Sequence, residues 1–256
     1  MKKIFLAFAM LSSVCAFSQE NLEDLLAAGI EDAQRFSEGY ITPAAEAMLY
    51  NAANGWMQSA EVKGPLKFEL SLIGNATFIN DDKKTFTLNT ADYNNLKFRD
   101  GSTVKEVATA FGENNPDIVV YAEVQNGVFT EDVEFILPQG LASVNVDVLP
   151  TAFLQGRLGI FKATELKLRY FPKIDREDVK VGVFGLGLQH ELTQWLPAEK
   201  IFPVAISAMI AYSNLNANYD FTNDEIIEGE NQQFDLKQNA WVFLWRHWLP
   251  FWNIRF

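Results

Sequence analysis

From Thr151 to His190 the side chains alternate between apolar and polar. Leu154, Gly156, Leu158 and Ile160 interleave with Gln155, Arg157 and Gly159, and Leu166, Leu168 and Tyr170 interleave with Glu165, Lys167 and Arg169. A period of two predicts extended strands with two unlike faces. The first two runs leave room only for Lys162 and Ala163 between them, whereas Pro172 to Asp178 predicts a longer charged loop before Val179 resumes the pattern. The same alternation runs from Phe68 through Leu70, Leu72, Gly74 and Ala76 to Phe78, and again through Val204, Ile206, Ala208, Ile210 and Tyr212. Such runs exceed the usual strand of a soluble sheet and suit the roughly 9 to 11 residues with which a tilted strand crosses a bilayer.

Before Leu66 the period is different. Leu22, Leu25, Leu26, Ile30, Ala33 and Phe36 recur at three and four and share a helix face. Gly39 and Tyr40 interrupt that face, and Thr42-Pro43 predicts the start of a second helix reaching about Ala53. The expectation is a helical hairpin at a barrel mouth, or a plug entering the lumen, with Asn54, Gly55 and Trp56 as plug candidates. Further on, Thr85 to Asn89 reads as a return strand, Asn126-Gly127 marks a hairpin, and Leu141 to Val148 reads as a strand. An acidic loop spans Ser213 to Gln233. From Trp241 to Phe256 the alternation is lost, which leaves two readings: a terminal strand in an aromatic girdle, or a foreign tail such as a frameshift produces.

The fold class expected from these elements is all-β: an antiparallel transmembrane β-barrel of roughly eight to ten strands with an N-terminal helical plug. The divisions are a signal peptide at 1–18, the plug-like segment at 19–65, the barrel at 66–240 and the aromatic tail at 241–256.

Composition narrows the choice. The chain has 256 residues, 48% hydrophobic and 13% aromatic, enough for one sizeable domain or one membrane barrel. Ile4 to Phe17 is too short for a spanning helix, but after Lys2 and Lys3 and before Ala16-Phe17-Ser18 it has a signal peptide's layout. Export to the outer membrane follows as the expected location. Cleavage would remove Cys15, the only cysteine, and with it any disulfide or thiolate site. It would also take two lysines, moving the net charge from −12 to −14, a balance that disfavours nucleic acid as a partner.

Candidate chemistry is sparse. His190 and His247 are too few for a local metal site, and His190-Glu191 starts like a zinc-protease motif that fails at Gln194. No catalytic residue, metal or cofactor is expected, and the chain does not read as an enzyme. The charged row is more informative. Arg157, Glu165, Lys167 and Arg169, together with His190, are candidates to line the lumen, either bracing the wall by cross-strand pairing or selecting solutes by charge. Phe161, Tyr170, Trp195 and Tyr212 are candidates for the membrane interface.

Several stretches resemble an uncharacterised family of outer-membrane β-barrel proteins of Bacteroidetes-type bacteria, distantly similar to the long-chain fatty-acid transporters. They are Asn54-Gly55-Trp56, GPLKFELSLIGNATFINDDKKTFTL, ATAFG at Ala108 to Gly112, LPQGL at Leu137 to Leu141, LPTAFLQGRLGIFKATELKLRYFP and VGVFGLGLQHELTQWLPAEKIFPVAISAMIAY. The resemblance covers about Gly39 to Asn214. It implies a barrel with an inward N-terminal segment and more strands after Trp241, and it carries no established activity. The function expected is passage or binding of a small, hydrophobic solute, with outer-membrane lipid and the barrel assembly machinery as partners. The alternatives are a structural or adhesive barrel acting through its acidic loop, and a soluble periplasmic β-protein.

Overall fold

The computed structural model describes residues 28–126, 129–176, 179–195, 204–220 and 233–248. The expected signal peptide and the first turns of the expected helix lie outside them.

A single helix, α1 (Ile30–Ala53), replaces the expected hairpin of two. Gly39 is not a break but a place of close packing, since a Cβ there would lie 2.6 Å from a ring carbon of Phe86. Pro43 sits inside the helix, where it removes one main-chain bond. Just before it, Thr42 Oγ1 donates to the Glu38 carbonyl at 2.5 Å. The helix survives the proline because both halves are packed. Ala33, Phe36 and Tyr40 share one core with Leu88, Phe98 and Val120, while Ala45 and Ala52 share another with Phe153, Phe171 and Val183.

Eleven strands follow in the described residues: β1 (Phe68–Phe78), β2 (Thr85–Asn89), β3 (Leu96–Phe98), β4 (Val104–Ala108), β5 (Val119–Asn126), β6 (Phe129–Ile136), β7 (Val148–Phe161), β8 (Thr164–Arg176), β9 (Val179–Glu191), β10 (Ala205–Asp220) and β11 (Gln233–Trp248). They form three antiparallel sheets rather than one closed barrel. The main sheet has the order β1-β7-β8-β9-β10-β11, and β2-β4 and β3-β5-β6 are separate. The chain is therefore mostly antiparallel β with one N-terminal helix, and no barrel closes among the described residues. The strands between Thr85 and Ile136, expected in the barrel wall, instead form an insert wrapped around the first half of α1.

Three local expectations also change. Leu141 to Val144 forms a 3-10 turn instead of a strand, and β7 starts only at Val148. Pro150 is tolerated within it because β7 pairs with β8 only from Leu154 onward, so its missing donor faces no partner on that side. The predicted loop from Pro172 to Asp178 is mostly strand: β8 runs to Arg176, with a register shift between Phe171 and Ile174 where Pro172 falls. Finally, the alternation does not end at Trp241. Trp241, Phe243 and Trp245 are exposed on one face of β11, and Val242 and Leu244 pack on the other against Trp56, Met57, Met209 and Ala211. The eye misses this because residues on both faces are large. Residues 249–256 lie outside the described ones.

The main sheet keeps its two faces apart. Phe68, Leu70, Leu72, Leu154, Leu168, Phe184, Leu186, Leu188, Phe243 and Trp245 are exposed on one side. The other side buries Gln155, Arg157, Glu165, Lys167, Arg169, Gln189, Ser207 and Ser213 beneath the second half of α1 and the segment that follows it.

Candidate functional site

The site is the contact between that polar inner face and residues 52–64, which from Asn54 onward run across it without helix or strand. Asn54 and Gly55 make the entry. Helix α1 stops at Asn54, and Gly55 takes a positive φ of 71°, the conformation that suits a glycine after a helix end. Its position is tight as well, because a Cβ would stand 2.7 Å from Ile73 Cγ2. The Asn54 side is exposed, whereas Trp56 is fully buried.

An irregular segment cannot bury its main chain unless its amide and carbonyl groups find partners. Here the sheet's side chains supply them. Arg169 donates through Nη1 to the carbonyls of Ala52 at 2.7 Å and Asn54 at 2.6 Å. Lys167 Nζ donates to Trp56 O at 2.7 Å, and Arg246 donates to Met57 O. Gln189 Nε2 donates to Ser59 O at 2.8 Å, and Ser207 Oγ to Ala60 O. Ser213 Oγ donates to Ala52 O at 3.1 Å. In the opposite sense, Glu191 accepts from the Val62 amide at 3.0 Å and Glu165 from the Lys63 amide at 2.9 Å. Eight side chains on four strands thus hold one short length of chain.

The charges are matched in two groups. Arg157 grips Glu165 with two bonds, Nε to Oε1 at 2.8 Å and Nη2 to Oε2 at 3.0 Å, and extends Nη1 to Glu69 at 3.2 Å. Lys167 lies 3.5 Å from the same Glu165. Arg169 stands apart: Gln155 Oε1 accepts from its Nε and Nη2, and the remaining contacts are carbonyls and rings. The last turn of α1 contains no basic residue of its own, so Arg169 meets the partially negative helix end from across the interface.

Trp56 is seated by glycines. A Cβ on Gly185 would come within 2.6 Å of its ring, and one on Gly187 within 3.3 Å. The Arg169 guanidinium lies 4.1 Å from the indole centroid, and Nε1 donates to Ala52 O at 2.9 Å. Gly159 serves the same purpose further along, since a Cβ there would lie 2.2 Å from Gly64 O.

Of the residues singled out from sequence, Arg157, Glu165, Lys167, Arg169 and Trp56 come together here. His190 does not. It follows Gln189 on β9 and so points to the other face, where its Nδ1 meets Thr164 Oγ1 at 2.9 Å and its ring stacks on Trp195. Its position in the alternation, one residue off from Gln189 and Glu191, already required this. Phe161, Tyr170 and Trp195 are exposed, and Tyr212 packs on Trp241. The sequence reading passed over Gln155, Gln189, Glu191, Ser207 and Ser213. Their signal is parity, since each lies on the same face of its strand as a buried neighbour; four of them carry no charge to mark them, and Glu191 stands apart from the charged row on β7 and β8.

Among the described residues no group of three or more histidine, cysteine, aspartate or glutamate side chains is arranged to hold a metal ion, and no helix is long and apolar enough to cross a membrane. No curated protein and no solved structure matches the chain. A family model does, over residues 1–245, and the chain belongs to that family, a family of unknown function (DUF6588).

Proposed function

We propose that this chain builds the wall and inner plug of an outer-membrane β-barrel that admits a small, largely apolar solute when residues 52–64 move aside. The observation that carries the reading is the two-faced main sheet. Its outward side presents a continuous field of leucine, phenylalanine and tryptophan, far more apolar surface than water-soluble proteins usually show. Its inward side spends buried charges on a short irregular segment. Strand lengths of 11 to 16 residues in β1, β10 and β11 suit a tilted crossing. An apolar solute is the expectation that goes with the distant resemblance to long-chain fatty-acid transporters read from the sequence alone.

Bracing and gating become one device in this reading. Arg157, Glu165, Lys167 and Arg169 hold the plug to the wall and, among the described residues, form no open ring of free charge. Release therefore requires replacing main-chain acceptors that Arg169 and Lys167 now use.

Membrane fractionation with heat-dependent gel mobility tests location: folded protein should sediment with outer membrane and shift on boiling. In liposomes, the Lys167→Met/Arg169→Met variant and a deletion of Glu23 to Ala53 should both raise solute flux over the parent. Folded protein that stays soluble, or flux unchanged in both variants, overturns the proposal.

A further inference from the structure

We propose that the seat of Trp56 is a binding site for a small planar aromatic solute bearing an N–H or O–H, and that Trp56 occupies it as a built-in competitor. The inference rests on the gated-barrel reading and names the class of solute.

The seat has the shape and chemistry of its occupant. Gly185 and Gly187 remove side chains from two successive inward positions of β9 and leave a flat floor. Met209, a side chain that adapts to irregular shapes, borders it with its Cε 2.6 Å from where a Gly187 Cβ would be. Over the ring lies the Arg169 guanidinium, at 4.1 Å from the centroid and fully buried. A desolvated cation over a ring face favours aromatic over aliphatic occupants of equal size. Arg169 makes no carboxylate contact among the described residues, so its charge is not already neutralised by an acid.

A second observation points to a ligand. Gln189 lies in the same inward row, two residues beyond Gly187, and is fully buried. Its Nε2 is engaged, but its Oε1 has no hydrogen-bond partner among the described residues. A buried acceptor left unmet is costly, and a ring-bound donor would relieve it. The occupant is also the part of the interior that can leave. Residues 54–63 hold no strand or helix, and their contacts with the sheet are made by side chains, so exchange for a solute breaks no ladder.

Indole is the probe. The Trp56→Gly chain, with β content checked by circular dichroism, should bind indole saturably at one site per chain in calorimetry, and hexanol much more weakly. Refilling the seat in Trp56→Gly/Gly185→Val should weaken indole by about tenfold or more, as a misplaced branched side chain does in an apolar pocket. Absence of saturable binding to the folded variant, or equal binding after refilling, overturns the proposal. The parent seat gives a second readout that does not depend on that variant folding. With Ser59→Cys in a Cys15→Ser background, indole should accelerate thiol labelling and hexanol should not, and no acceleration by indole counts against the site. Neither readout involves flux. A barrel that passes nothing can still bind indole, and a leaky barrel that ignores indole loses only this inference.

Discussion

The Arg169 guanidinium lies 4.1 Å above the Trp56 indole, and both side chains are fully buried although 113 positions separate them in the chain. The cation comes from the middle of β8 and the ring from the segment leaving α1. Arg169→Met should keep much of the side-chain volume while leaving the carbonyls of Ala52 and Asn54 without that donor. A lost charged hydrogen bond to a buried group costs about 2 to 3 kcal/mol, so the segment should detach before the sheet unfolds. Hydrogen exchange at Trp56 to Ala60 should rise well above that of β8 and β9.

Two glutamates of the same cluster should behave differently. Glu165 is fully buried and serves Arg157, Lys167 and the Lys63 amide, whereas Glu69 is one-third exposed and pairs with Lys63 and Arg157 at the edge strand. Glu165→Gln strands buried cations and should cost about 3 to 5 kcal/mol. Glu69→Gln should cost no more than about 1 kcal/mol. Denaturant midpoints of the two variants check the ranking.

Glycine positions in the main sheet separate along the same line. A Cβ on Gly159 would stand 2.2 Å from Gly64 O, whereas one on Gly74 would touch nothing within 4 Å. Gly159→Ala should push residues 63 and 64 off the wall and lower stability by about 1 to 3 kcal/mol, the usual cost of overpacking. Gly74→Ala should be neutral or slightly stabilising through the unfolded chain. Thermal unfolding of both variants distinguishes them.

At the far end of α1, Asp32 is buried and accepts from three successive amides, Asn94 at 2.8 Å, Asn95 at 2.7 Å and Leu96 at 3.0 Å. The carboxylate fastens the helix start to the insert. Asp32→Ala should free the insert from α1 at a cost of about 2 to 4 kcal/mol, several unmet amides being involved. Proteolysis between Asn89 and Gly101 should accelerate, while exchange at β8 and β9 stays unchanged.

Much of this was readable from spacing. The runs around Leu70, Leu158, Leu168 and Ile210 announced two-faced strands, and the parity of Arg157, Glu165, Lys167 and Arg169 put them together on one face. Long-range partners were not readable in the same way. Nothing local says that β1 pairs with β7 across the intervening insert, so Thr85 to Ile136 looked like further wall. Pro43 and Pro172 were read by their local rule, as a helix start and a loop, and tertiary packing on Phe153 and Phe171 and a register shift overrode that rule. In β11 the large side chains on both faces hid a period that only the packing of Val242 and Leu244 on Trp56 and Met57 makes visible.

The continuity of α1 has a mechanical consequence. A helix of 24 residues is about 36 Å long, at 1.5 Å per residue. One end is keyed into the insert by Phe36 and Tyr40, and the other leads straight into the seat of Trp56. Such a rod ties the position of the insert to that of the Trp56 seat, so the two cannot shift independently along the helix axis while α1 stays intact.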